Sequence, residues 1–155
     1  MVTLDDTDLK ILRILQNNAR ISTKAIAEQI FISPPTVAAR IEAMRRAGVI
    51  KGFATVLNPD AFGNFIKAYI EMEVSPTKRA ELYETLRSYP QVMECSRVTG
   101  DYSLLIEVLF RSTEEMDKFN MVLQHYGRTK TQIVFSTVIE YRNAFLPDAP
   151  GGSPV

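Results

Sequence analysis

Ser33-Pro34-Pro35-Thr36-Val37-Ala38-Ala39-Arg40-Ile41-Glu42-Ala43-Met44-Arg45-Arg46-Ala47-Gly48 reads as a short helix with a marked start, a marked stop and two unlike faces. Ser33 is placed to cap the first orphan amides. Pro34 takes the first helical position, where a missing N–H costs nothing. Gly48 stands where a left-handed C-terminal cap is needed. Val37, Ile41 and Met44 fall at i, i+4 and i+7 and predict one buried stripe. Pro35, Thr36, Ala39, Arg40, Ala43 and Arg46 are assigned to the opposite side. Small residues there let the backbone approach another surface, and the arginines suit an anionic one. A DNA major groove admits such a helix.

The flanking sequence supplies two more helices. Asp5-Asp6-Thr7-Asp8 precedes Leu9, Ile11, Leu12, Ile14 and Leu15. Aspartates favour a helix N-terminus through capping and the macrodipole. Ile11, Ile14 and Leu15 form one stripe, which Leu9 and Leu12 widen, so this helix is expected to be largely buried. Asn17-Asn18 ends it. Ser22 or Thr23 caps a second helix carrying Ile26, Ala27 and Ile30, and Phe31-Ile32 turns the chain into the Ser33 helix. Three short helices, the last two joined tightly, make a helix-turn-helix pattern. A small helical subdomain that binds another protein is the alternative reading of this pattern.

The chain has 155 residues, enough for one ordinary domain or two small ones. No apolar run approaches the roughly 20 residues of a membrane span. Cys95 is the only cysteine, so an intramolecular disulfide is impossible. With an acidic, signal-free N-terminus, this favours a cytoplasmic location. Net charge is zero, but its distribution is uneven. Residues 1–60 carry 8 Lys/Arg against 6 Asp/Glu, and residues 61–155 carry 10 against 12. A modest local excess of cations implies few phosphate contacts per chain, so useful DNA affinity needs at least two copies acting together.

After Gly48, Val49–Leu57 reads as a short strand or linker, and Asn58-Pro59-Asp60 as a turn. From Ile66 the hydrophobic period becomes two: Ile66, Ala68, Ile70, Met72 and Val74 alternate with polar residues, as in a half-buried strand. Pro76-Thr77 opens a helix with Ala80, Leu82, Tyr83 and Leu86. Val92–Thr99 is a second strand, Gly100-Asp101-Tyr102 a tight turn, and Ser103–Phe110 a third strand. Ser112 or Thr113 starts a helix with Met116, Phe119, Val122, Leu123 and Tyr126, ended by Gly127. Gln132–Tyr141 is the last strand. The order β-α-β-β-α-β is the ferredoxin-like arrangement. Leu105 and Leu109, opposite in parity to Leu104 and Ile106, predict a sheet apolar on both faces. Two helices cover only one face, so the other is expected to meet a second copy of the chain. The fold class is therefore α+β. The expected domains are a helix-turn-helix unit at 1–52, a linker strand at 53–63, a ferredoxin-like sensing and oligomerisation domain at 64–145, and a flexible tail at 146–155.

From Leu4 to about Leu146 the chain resembles the Lrp/AsnC, or feast/famine, family of transcription regulators. The resemblance is carried by Leu4-Asp5-Asp6-Thr7-Asp8 with Ile11-Leu12, Asn18-Ala19-Arg20-Ile21-Ser22, Ser33-Pro34 with Thr36-Val37 and Arg40-Ile41, and Gly48-Val49-Ile50-Lys51-Gly52-Phe53. In the second half it is carried by Val92, Glu94-Cys95, Val98-Thr99-Gly100-Asp101-Tyr102, and Thr129 and Thr131 before Ile133-Val134. The resemblance implies a DNA-binding regulator that forms homodimers and assembles further, typically to octamers. It also implies a response to an amino acid or similar small molecule held between C-terminal domains.

By position, Ser33, Pro34, Thr36 and Arg40 match the family's recognition-helix start. Thr36 and Pro35 are assigned to base edges. Arg40, Arg45 and Lys51 are assigned to phosphates, with Ser22 and Thr23 at the preceding helix start. The family's effector loop reads Gly-Asp-Tyr-Asp, and here it is Gly100-Asp101-Tyr102-Ser103, so one carboxylate is replaced by a hydroxyl. Thr129, Thr131 and Ser136 are assigned to the lining of the same pocket. No catalytic residue, metal site or cofactor is expected. Two other readings are a ligand-sensing module without DNA binding and an enzyme like the sirohaem decarboxylases. The only histidine, His125, sits on a helix beside core residues.

Overall fold

The computed structural model describes residues 3–63, 65–141 and 146. The chain forms two compact units that divide between Val56 and Leu57, the first regaining the chain after Glu140.

The first unit holds helices α1 (Asp6–Asn17), α2 (Thr23–Ile30) and α3 (Pro34–Arg46). Each begins on a side-chain cap: Asp5 accepts from the Asp8 amide, Ser22 from Ala25 and Ser33 from Thr36. Asp8 also returns a bond to the Asp5 amide, which completes a capping box on α1. Ile11, Leu12 and Leu15 meet Ile26, Ala27, Val37 and Met44 in one core. Gly48, at φ +72°, stops α3 as expected. Its N–H reaches the Arg45 carbonyl at 3.0 Å and that of Val49 the Met44 carbonyl at 2.9 Å. This is a Schellman stop, with Val49 and Met44 in the same core. Leu146 also packs against this core, so the expected flexible tail is anchored at its first residue, and Pro147–Val155 lie outside the described residues.

The second unit holds β1 (Ile66–Val74), α4 (Arg79–Ser88), β2 (Val92–Arg97), β3 (Leu104–Phe110), α5 (Thr113–Gln124) and β4 (Gly127–Ile133). The strands form one antiparallel sheet in the order β2-β3-β1-β4. Ala68, Ile70, Met72 and Val74 of β1 and Leu104, Ile106, Val108 and Phe110 of β3 face Leu82, Leu86, Met116, Phe119 and Leu123 of the helices. Burying such a side chain contributes roughly 1.5–3 kcal/mol. α4 begins at Arg79, with Lys78 at its N-cap, rather than at Pro76, and that burial outweighs its missing side-chain cap, which costs about 1 kcal/mol.

Four expectations are corrected. The last strand, expected at Gln132–Tyr141, runs Gly127–Ile133: its ladder with β1 ends at the Ala68–Ile133 pair, and only Val134 adds one more bond, to Lys67. Beyond it Phe135, Val138, Ile139 and Tyr141 are exposed. Gly127 therefore does not end α5. It starts β4, where a Cβ would lie 1.9 Å from the Glu73 carbonyl oxygen. Val49–Leu57, and the linker expected at 53–63, contain no strand; the only regular structure there is a 3-10 turn at Pro59–Phe62. A lone strand has no ladder to join, and Phe53, Val56 and Leu57 stay exposed. Lastly, the open sheet face is not apolar throughout. Lys67–Glu107 at 2.7 Å, Lys130–Glu71 at 3.2 Å and Arg128–Glu73 at 3.5 Å interleave with the partly buried Leu105 and Leu109.

Candidate nucleic-acid interface and effector loop

The start of α3 leaves little for its backbone to do. Pro34 and Pro35 have no N–H to offer, the Thr36 amide is taken by Ser33 Oγ at 3.2 Å, and the Val37 amide by the Ser33 carbonyl at 3.1 Å. The Ser33 and Thr36 hydroxyls are also 2.7 Å apart. Any partner of this helix end must be met by side chains and by close approach. Pro35, Thr36, Ala39, Ala43 and Arg46, at roughly helical spacing, are all exposed and form one narrow, small-residue face.

Arg40 does not belong to that face. It lies at i+3 from Val37 and i−4 from Met44, beside the buried stripe. Its Nη1 donates to Asp5 Oδ2 at 2.7 Å and to Asp8 Oδ1 at 2.8 Å. Arg40 thus ties α3 to the capped end of α1. The Asp5 carboxyl is held below the usual carboxylate range, first by the Asp8 N–H and then by Arg40.

Arg45 is exposed and paired with Glu42 at 2.8 Å, one turn apart. Lys51 is exposed just past the Schellman stop. Ser22 caps α2 and Thr23 is its exposed first residue. Two exposed cations were left out of the expected set. Lys24 follows Thr23 in the first turn of α2, and Arg46 lies on the small-residue face. Among the described residues neither has an ion-pair partner. Lys24 was legible as the cation nearest a capped helix start.

In the second unit, Gly100, at φ +114°, turns the loop between β2 and β3. The loop is wider than a tight turn: the Val98 N–H reaches the Ser103 carbonyl at 3.1 Å. The Ser103 N–H donates to the Met72 carbonyl at 3.0 Å, which fixes the loop to the end of β1. Met72 is paired with Thr129 on its other side. The Arg128 guanidinium lies 5.1 Å from the Tyr102 ring centre, a contact no spacing rule suggests. Arg128 is on the open sheet face with Glu73, whereas Thr129 and Thr131 alternate to the helix face, where Thr131 Oγ1 donates to Asn120 Oδ1 at 3.1 Å. Ser136 lies beyond the paired end of β4, at the opposite end of the sheet. One chain therefore gathers Gly100–Ser103 but not all of the expected pocket. Outside both sites, His125 closes α5, with Nδ1 2.9 Å from the Met121 carbonyl oxygen.

Residues 4–51 match the family model described as winged helix-turn-helix DNA-binding, and residues 67–144 the Lrp/AsnC ligand binding domain. The HTH-type transcriptional regulator FL11 of Pyrococcus furiosus is 35% identical over 75% of this chain and 77% of its own length. The transcriptional regulator AzlB of Bacillus subtilis is 31% identical over 94% and 96%. Among solved structures, AsnC of Escherichia coli has a TM-score of 0.83 at 28% identity, over 92% of this chain and 99% of that one. A transcriptional regulator of Neisseria meningitidis in complex with L-methionine has a TM-score of 0.84 at 25% identity, over 93% and 97%.

Proposed function

Because the chain belongs to the Lrp/AsnC family of transcriptional regulators, we propose that α3 reads DNA through the face of Pro35, Thr36, Ala39, Ala43 and Arg46. The single observation that carries this reading is that face: exposed, small enough for close approach, ending in a cation, and free of backbone donors that would prefer phosphate. Thr36 and Pro35 touch base edges, with Ser33 and Pro34 fixing the entry of the helix. Arg45, Arg46, Lys51 and the α2 start at Ser22, Thr23 and Lys24 hold phosphates. Arg40 sets the angle of α3 without touching DNA.

The second unit senses an amino acid or a related small metabolite. The L-methionine complex of the Neisseria relative supports that class. The backbone and Asp101 at Gly100–Ser103 hold an α-amino group, and Arg128 beside Tyr102 is placed for its carboxylate. Thr129, Thr131 and Ser136 enter the site from a second copy, since within one chain they do not converge on the loop. The protein works as a cytoplasmic homodimer that assembles towards an octamer, and it is not an enzyme. Among the described residues no helix is long and apolar enough to cross a membrane.

The test is a titration of the protein onto DNA from upstream of its own gene, at two salt concentrations, with and without the twenty amino acids. Salt-sensitive, sequence-preferring binding that shifts with the mixture is the expected result. Binding that ignores the mixture removes the sensing half of the proposal, and no binding to that or any genomic fragment removes the DNA half. A Soret band on mixing with haem would bring the enzyme reading back.

A further inference from the structure

The edge strand β2 and helix α4 enclose a groove of about 570 Å³ that takes no part in either site above. That volume is within the range of small-molecule pockets. Its floor is apolar, with Leu86 from α4 and Val92 and Leu104 from the sheet. Two polar groups in its walls lack partners among the described residues. The Tyr83 Oη is buried without a hydrogen bond, a costly state for a hydroxyl unless something supplies one. Arg97 pairs with Leu104 in the ladder, so its side chain lies on the helix side of the sheet, and no carboxylate is within ion-pair distance of it. Arg87 is bound to Glu84. Glu94 keeps its charge, but it pairs with Glu107 in the ladder, so its side chain lies on the open face of the sheet, opposite to Arg97. On the helix side of β2 the unpaired charge is therefore positive.

We propose that this groove binds a small organic acid with an apolar body, its carboxylate on Arg97 and its body on Leu86, Val92 and Leu104. Tyr83 Oη gains its missing bond from a polar atom of the same ligand. The inference does not depend on the amino-acid site at Gly100–Ser103.

Cys95 lines the groove and is the only thiol of the chain, so it reports occupancy. Its alkylation by neutral iodoacetamide is followed with 3-phenylpropionate, 4-methylpentanoate, 3-phenylpropanamide and acetate at millimolar concentration. One or both of the apolar acids is expected to slow alkylation, while the amide and acetate leave it unchanged. Arg97→Gln is expected to raise the concentration needed for protection about tenfold, the loss of one charged hydrogen bond. Tyr83→Phe raises it a few-fold, and Asp101→Ala leaves it unaltered. Protection by neither acid, equal protection by the amide, or full protection in Arg97→Gln overturns the proposal. Loss of protection in Asp101→Ala also overturns it, by assigning the acid to the loop site.

Discussion

Phe31 shows how one residue can carry a local cost. It holds a left-handed conformation at φ +58° and ψ +45°, and it is 93% exposed. For a residue with a Cβ that conformation costs roughly 1–2 kcal/mol, and an exposed ring returns little packing energy. The bond from Ile32 N–H to the Ala27 carbonyl at 3.1 Å holds the turn in place. Phe31→Gly is expected to stabilise the helix-turn-helix unit by about 0.5–1 kcal/mol in urea unfolding, after the entropy glycine adds to the unfolded chain. A loss of stability would mean that the ring packs against something in solution. Gly127 is the opposite case. A Cβ there strikes the Glu73 backbone 1.9 Å away, with no flexible side chain to yield. Gly127→Ala is expected to cost about 2–4 kcal/mol and to part β4 from β1, seen as early amide exchange along Gly127–Ile133.

At the scale of elements, α3 is positioned by its buried stripe, its caps and Arg40. Two of its three arginines, on different sides, are expected to behave differently. Arg46→Ala, on the open face, should lower the slope of log K against log salt by about one, as for one lost phosphate contact. Arg40→Ala should weaken DNA binding with the slope unchanged, and lower the unfolding midpoint of the first unit by a few degrees. A reduced slope in Arg40→Ala would return it to the phosphates. The tie is also acid-sensitive. Asp5 has its folded pKa depressed, so the stability it adds is present above its unfolded value of about 4 and lost as pH falls through the lower folded one. Asp5→Asn and the unaltered protein should therefore differ in stability at neutral pH and converge in strong acid. The helices and the stop at Gly48 were legible because caps and period-3.6 stripes are local. The place of Arg40 was half-legible: its offsets from Val37 and Met44 set it beside the stripe, but only the fold brings Asp5 and Asp8 across from it.

For the whole molecule, two segments that join no ladder in one chain carry runs of exposed apolar side chains. Phe53, Val56 and Leu57 precede β1, and Phe135, Val138, Ile139 and Tyr141 follow β4. A row of such residues invites pairing with another chain. Phe135→Asp is expected to shift the assembly towards monomer in sedimentation velocity while leaving the circular dichroism of the sheet intact. An unchanged sedimentation coefficient would place the interface elsewhere, with Leu105 and Leu109 on the open face next to be tested.

The order of the elements, the core parity of β1 and β3, the three capped helices and the small-residue face of α3 followed from the sequence alone, because each rests on neighbours within a few positions. Where β4 begins and ends did not. Its alternation continues through Val138, yet the ladder ends at the Ala68–Ile133 pair although β1 itself runs on to Ile66. The charge ladder across the open sheet, the contact of Arg128 with Tyr102 and the unpaired Arg97 beside Tyr83 likewise join residues far apart in the chain. Periodicity tells which face a side chain takes. Which partner it meets there is decided by strand register, and register is a property of the folded sheet.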